Sequence, residues 1–323
     1  MILASRIEEL STATAKVDLF IHALGFEQRS TAVLSSVIDR SVRSISLVFP
    51  DEARLSFNAN TALALDRNTD FVKEYVSFFR DEFPGLLQVL SDSLARRPRI
   101  ALDISSMNRT MMAEALFAMM RLRSHIDSVE LMYVPGEFKQ PKSEFPEIER
   151  IGAVIPELSG FSADPELPIG VVMGLGYEYG LAVGLINRLE PRLTVCFRAT
   201  GYDVRYEDAC RHANLDFDFG CSNVELGSYP LIDAASAYRH LENVVFGMTK
   251  GFRVVVVPLG PKIFAALAIL IAIKNVGTVA IWRVAAKLEV SDVQASNDLL
   301  RVDLDLGSEI PKRELELAIK LIA

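Results

Sequence analysis

The sequence predicts an α/β protein made of two tandem halves, each a doubly wound parallel sheet, related by internal duplication. Three observations carry that prediction. Short apolar runs alternate with helix-like stretches along the chain. The runs are continuous rather than alternating, as expected of strands covered on both faces. Motifs of the first half also recur at a nearly constant spacing in the second.

In chain order, the first half reads as strands at Val17–Leu24, Ser44–Phe49, Ile100–Ile104 and Val129–Val134. Helices are expected near Ser30–Ile38, Asp70–Phe79, Leu86–Leu94 and Thr110–Leu122. The second half gives strands at Ile169–Leu175, Leu193–Phe197, Arg253–Val257 and Val279–Val284. Its helices fall near Tyr179–Arg188, Asp203–His212, Ala234–Met248 and Ile263–Lys274. Strands that alternate with helices imply parallel pairing through right-handed crossovers.

The repeat is visible residue by residue. Leu24–Gln28 (LGFEQ) aligns with Leu175–Tyr179 (LGYEY), an offset of 176 − 25 = 151. Val37–Phe49 aligns with Leu185–Phe197, offset 197 − 49 = 148. Arg99–Ser105 aligns with Arg253–Leu259, offset 253 − 99 = 154, and Val129–Val134 with Val279–Val284, offset 279 − 129 = 150. Strand composition alone does not generate a shared Leu-Gly-aromatic-Glu. The boundary is placed in the Pro- and Gly-rich stretch Pro135–Pro168, giving halves 1–160 and 161–323. A short apolar piece follows the last main strand of each half, at Ile151–Ile155 and Val302–Leu306. Each half is expected to end with an extra strand there.

Composition excludes several classes. Half of the 323 residues are hydrophobic and 24% are charged, which argues against disorder, collagen and coiled coil. A net charge of −8 argues against non-specific binding to duplex DNA. Val284–Leu300 scans loosely as a helix-turn-helix, but it begins inside an expected strand. Its recognition segment also has no Lys or Arg before Arg301. The longest apolar run, Ile263–Ile273, is well short of the ~20 residues that span a bilayer. Met1–Leu10 carries Glu8 and Glu9 and does not read as a signal peptide. Three cysteines, Cys196, Cys210 and Cys221, make an odd count that fits a reducing cytoplasm. With no CxxC and no HExxH, no metal site is expected, and no cofactor is assigned.

In open parallel sheets, ligands bind beyond the carboxyl ends of the strands. The candidate loops of the first half are Gly25–Ser30 and Asp103–Thr110, and those of the second are Gly174–Gly180 and Pro258–Lys262. Asp103, Ser105, Ser106, Asn108 and Arg109 lead into a helix and form a candidate phosphate seat. Helix capping competes as an explanation for the Ser and Asn residues. Gly260 allows close approach to the backbone, and Lys262 adds a charge at the corresponding place. Gly25 and Gly176 allow tight exits from strands. Glu27 and Glu178 are candidates to accept ribose or base hydrogen bonds, or serve only the helix dipole. Phe26 and Tyr177 either stack on a base or pack in the core, and Arg29 is a further phosphate candidate. His22, Glu27 and Glu178 are the candidate acid–base groups, with a core role as the competing reading of His22.

The stretch ALDISSMNRTMMAEALFAM, Ala101–Met119, resembles the strand-loop-helix of CARF domains. These are Rossmann-like sensors of cyclic oligoadenylates and related nucleotides in prokaryotic antiviral defence. In that family a strand ends in an Asp/Asn–x–Thr–Gly–Gly–Thr–Lys type of loop that touches the ligand. Val254–Leu270 is similar to a second such loop, with Gly260 and Lys262. The double glycine is absent from the first half, and no nuclease, toxin or DNA-binding effector domain is recognisable. The resemblance implies a Rossmann-like nucleotide-binding sensor or accessory protein. Its expected partners are a nucleotide ligand and an effector protein; a homodimer is compatible with it, and no membrane is. A nucleotide- or nucleoside-processing hydrolase using Glu27 or Glu178, and a scaffold subunit for an effector, stand as alternatives.

Overall fold

A computed structural model describes residues 1–49, 54–141, 147–178, 180–215, 224–287 and 291–307. Cys221 and Tyr179 of the sequence reading lie outside these residues. The chain forms two compact units, one from residues 1–137 with 291–307, the other from residues 138–287.

Unit one begins with β1 (Ile2–Glu9), β2 (Leu19–Leu24), α1 (Ala32–Ser36) and β3 (Arg43–Val48). It continues with α2 (Phe57–Asp66), β4 (Asp70–Val72), α3 (Tyr75–Ser77), α4 (Phe83–Leu94), β5 (Arg99–Asp103), α5 (Arg109–Arg121) and β6 (Ser128–Tyr133). Unit two contains β7 (Glu147–Ala153), β8 (Ile169–Gly174), α6 (Leu181–Leu189), β9 (Leu193–Thr200) and α7 (Val204–Leu215). Then come β10 (Val224–Pro230), α8 (Ala234–Met248), β11 (Arg253–Pro258), α9 (Lys262–Lys274) and β12 (Val279–Lys287), before β13 (Asp298–Leu304) returns to unit one.

Among the described residues the two sheets have seven and six strands, mostly parallel, with helices between strands. Sheet one runs β1-β13-β6-β5-β2-β3-β4 and sheet two runs β10-β9-β8-β11-β12-β7. The core clusters pack against α1, which follows β2, in unit one and against α6, which follows β8, in unit two. Phe20, Leu24, Leu34 and Met132 cluster in unit one, and Val171, Met173, Leu185 and Val257 in unit two. Residues 111–120 of α5 and 263–273 of α9 are all buried, which explains why these helices lack a polar face. Among the described residues no helix is long and apolar enough to cross a membrane.

Several elements differ from the sequence reading. Asp70–Val72, expected to open a helix, is a short strand that pairs with β3, and helix begins at Tyr75. The Arg43–Asp70 ion pair, 3.1 Å long, closes that edge of the sheet. Strand β10 escaped notice because it contains Gly227 and ends in Pro230, residues tolerated at a sheet edge. In the described part of Val284–Leu300 there is no helix: β12 extends to Lys287 and β13 starts at Asp298.

The two trailing strands are exchanged. β7 follows the first half but pairs antiparallel with β12, whereas β13 follows the second half and pairs antiparallel with β6. The units divide at 137/138, within the stretch Pro135–Pro168, with residues 291–307 counted in unit one. Charge gives a physical reason. Glu130 on β6 is buried and needs a cation, and β13 brings Arg301 to it with bonds of 2.5 and 2.7 Å.

Candidate functional site

β2 lies between β3 and β5, and all three are parallel, so their carboxyl ends share one rim. The loop after β2 contains a 3-10 turn, Gln28–Thr31. Asn60 of α2 fixes this loop from beneath. Its amide nitrogen donates to the carbonyls of Gly25 and Glu27 and to Ser30 Oγ, each at 2.9 Å, while Thr31 donates to its oxygen at 3.2 Å. Asp292 braces the other side, accepting from Gln28 N–H and from Ser56 Oγ, both at 2.7 Å. Neither residue stands out in the sequence, because Asn60 sits in a weakly patterned helix and Asp292 is distant along the chain.

On this frame Arg29 is buried and donates through Nε to Glu27 Oε2 at 2.7 Å. Ser106 Oγ, from the loop after β5, donates to the same oxygen at 3.3 Å. The second oxygen, Oε1, makes no hydrogen bond among the described residues, and the Glu27 side chain is 21% exposed. Glu27 thus joins the two loops and presents one fixed acceptor at the rim. Phe26 is half-buried, and its carbonyl accepts from Ser56 N–H.

The remaining residues of the first half divide by role. Ser105 donates through both N–H and Oγ to Asp103, and its Oγ accepts from Val134 N–H at 2.8 Å, so it ties the loop to β6. Burial pushes the Asp103 carboxyl up to about 6, against the opposing pull of the Ser105 hydrogen bonds and the Arg29 charge. Asn108 caps α5, its side chain accepting from Met111 N–H at 2.8 Å, while Arg109, half-buried, is the first residue of that helix. His22 is wholly buried. Its Nδ1 donates to the Ser30 carbonyl and its Nε2 accepts from Ser46 Oγ. Burial holds its pKa down at about 4, and both ring nitrogens are occupied by the protein.

In unit two, β8 lies between β9 and β11, again all parallel. The N–H groups of Leu259 and Gly260 both donate to the Gly174 carbonyl at 3.0 Å. A Cβ on Gly260 would lie 2.6 Å from the Leu175 carbonyl oxygen, so glycine is required here by the protein's own backbone. A Cβ on Gly176 would collide with the Glu178 carboxylate, which therefore folds back over its own loop. Asn214 of α7 donates to the Gly176 carbonyl at 2.9 Å. Tyr177 is exposed, and Glu178 and Lys262 are half-buried, with Lys262 at the first position of α9. Cys196 and Cys210 are buried free thiols, raised by burial to about 12 and about 11, which leaves them unreactive at neutral pH. Among the described residues no three His, Cys, Asp or Glu side chains converge as a metal site would require.

Loss of the Asn60 amide is expected to loosen the rim. Asn60→Ala leaves buried carbonyl acceptors unpaired and should destabilise unit one by about 2 kcal/mol. Urea unfolding checks the size. An unchanged midpoint would show that the loop does not depend on Asn60.

No protein-family model matches this chain, and no curated protein matches it in sequence.

Proposed function

We propose that the protein is a nucleotide-binding sensor or accessory protein that takes a phosphorylated nucleotide at the carboxyl rims of its sheets. The single observation that carries this reading is the Glu27 carboxylate. One oxygen is fixed by Arg29 and by Ser106, whose loop leads into α5, and the other makes no hydrogen bond among the described residues. A fixed carboxylate suits the hydroxyls of a ribose, while Arg109 and the α5 N-terminus suit its phosphate. Lys262 at the start of α9 offers unit two a similar seat.

The matched strand orders β3-β2-β5-β6 and β9-β8-β11-β12, together with the recurring sequence motifs, support two Rossmann-like domains derived from internal duplication. The resemblance to CARF domains makes cyclic oligonucleotides the first ligands to try. It also makes cytoplasmic antiviral defence, with an effector partner, the setting we favour. A hydrolase reading gains no support from His22, whose ring nitrogens are both engaged inside the core.

Calorimetric titration with mononucleotides and cyclic oligonucleotides tests the proposal. At ligand concentrations a hundred times Kd, binding should stabilise the protein by about 2.7 kcal/mol. Glu27→Gln and Arg109→Ala should each weaken binding about tenfold or more, as expected for charge-assisted hydrogen bonds. A folded protein that responds to none of these ligands would overturn the reading.

A further inference from the structure

We propose that the carboxyl rim of unit two carries a stacking shelf for a nucleobase, formed by Tyr177 and Tyr206 and braced by Phe138 and Arg205. This assignment rests on the nucleotide-binding reading above and gives it a base-recognition subsite.

Three separate chain segments build the shelf. Tyr177 lies in the loop after β8, and Tyr206 is the third residue of α7, which follows β9. The two rings lie 5.7 Å apart, inclined by 35°. Phe138 meets Tyr206 edge-on, with centroids 5.0 Å apart and an interplanar angle of 87°. The Arg205 guanidinium sits 5.3 Å above the Phe138 ring and is anchored by Asp203 at 2.7 Å. The edge-on Phe138 ring, itself covered by the Arg205 cation, holds Tyr206 from one side.

Position and exposure separate this cluster from core packing. Tyr177 is 38% exposed and Tyr206 and Phe138 are half-buried, whereas the ring contacts of unit one, such as Phe20–His22 and Phe79–Phe83, are buried. Aromatic faces at the surface are the common means of holding bases without reading their sequence. Lys262 follows β11, on the far side of β8 from β9. The ends of β9 and β11 are therefore two strand spacings apart, about 10 Å. That separation suits a base on the tyrosines and a phosphate toward Lys262. The shelf also gives the two rims different chemistry. Unit one presents the Glu27 carboxylate, held by buried Arg29, and unit two presents aromatic side chains.

The test compares adenosine 5′-monophosphate and cyclic di-adenosine monophosphate with ribose 5-phosphate, which lacks the base. Binding to the full chain is followed by calorimetry, and saturation transfer to the base protons is followed by NMR. Tyr177→Leu and Tyr206→Leu are each expected to weaken the base-bearing ligands about tenfold or more. Tyr177→Trp should retain binding, and ribose 5-phosphate should bind the wild type and the leucine variants alike. Tyr177 lies in an exposed loop, so its variants test the shelf even if Tyr206→Leu fails to fold. Nucleotide binding that stays within twofold in Tyr177→Leu and shows no saturation transfer to the base would overturn the shelf while leaving nucleotide binding in place. Absence of any nucleotide binding to the wild type would overturn both.

Discussion

Glu130→Ala is expected to destabilise unit one by about 3–5 kcal/mol, the usual cost of leaving a buried charge without its partner. Arg301 on β13 is only 8% exposed in its side chain, and Glu130 on β6 is 11% exposed. They form a two-pronged pair, with Arg301 Nη2 on Oε2 at 2.5 Å and Nε on Oε1 at 2.7 Å. Around them, Arg301 Nη1 donates to Glu8 at 3.1 Å and to the Thr14 carbonyl at 2.8 Å, while Arg6 donates to Glu130 at 2.6 Å. Burial alone would lower the Arg301 pKa, but Glu130 and Glu8 outweigh it and raise it, so the guanidinium stays charged. Arg301→Ala should cost a similar amount. Replacing both partners at once, Glu130→Leu with Arg301→Met, should recover most of the loss, since an apolar pair needs no counter-charge. Urea unfolding of the two single variants and the double variant measures this. A double variant as unstable as the sum of the singles would sink the argument.

Asp103→Asn is expected to gain stability over the wild type as pH rises, by about 3 kcal/mol between pH 3 and pH 7. The unfolded chain releases the Asp103 proton near the ordinary 3.8, and the folded chain near 6. Between those values the folded state binds more protons, so stability falls as pH rises through the window. A shift of about two units corresponds to about 3 kcal/mol. Asparagine removes this titration and keeps an acceptor for Ser105. His22, paired in register with Asp103, acts in the opposite sense. Unfolded, it takes up a proton below 6.5, but folded only below about 4, so its contribution is lost as pH falls through that range. The two effects offset each other in the wild type. Asp103→Asn should therefore have the steeper acid limb, because the His22 contribution is no longer offset there. Parallel stability–pH profiles for the two proteins would show that Asp103 does not ionise as its burial requires.

Much of this architecture is legible in the residues. The eight main strands were readable because parallel strands covered on both faces are continuous apolar runs, as in Arg253–Pro258 and Ile169–Gly174. Helix α9 was readable for the same reason. The exchange of β7 and β13 was not, because local patterning records that a segment is extended and not which edge it will meet. Its signal was electrostatic, a lone Glu130 in an apolar strand and a lone Arg301 in another. In the candidate site, the β2 and β5 loops are joined by the Ser106–Glu27 bond. Glu27 and Arg29 stand in one candidate loop of the sequence, but each reads there as a separate ligand contact, not as the ion pair they form. Asn60, Asp292 and Tyr206 were not, since each acts on a loop far from it along the chain. Ser105 and Asn108 show the opposite case. Their polar side chains drew notice, but the structure uses them to tie a loop and to cap a helix.

The exchanged strands also set a schedule for synthesis. β6 is complete at Tyr133, but its neighbour β13 ends only at Leu304, 304 − 133 = 171 residues later. At ~5–20 residues per second, the ribosome leaves that edge of β6 bare for roughly 9–34 s. Meanwhile β7 emerges within 147 − 133 = 14 residues, as an extended segment close at hand. A nascent chain must therefore keep β6 from accepting its nearest suitor until the proper one is translated, and an unpaired strand edge in that interval invites aggregation.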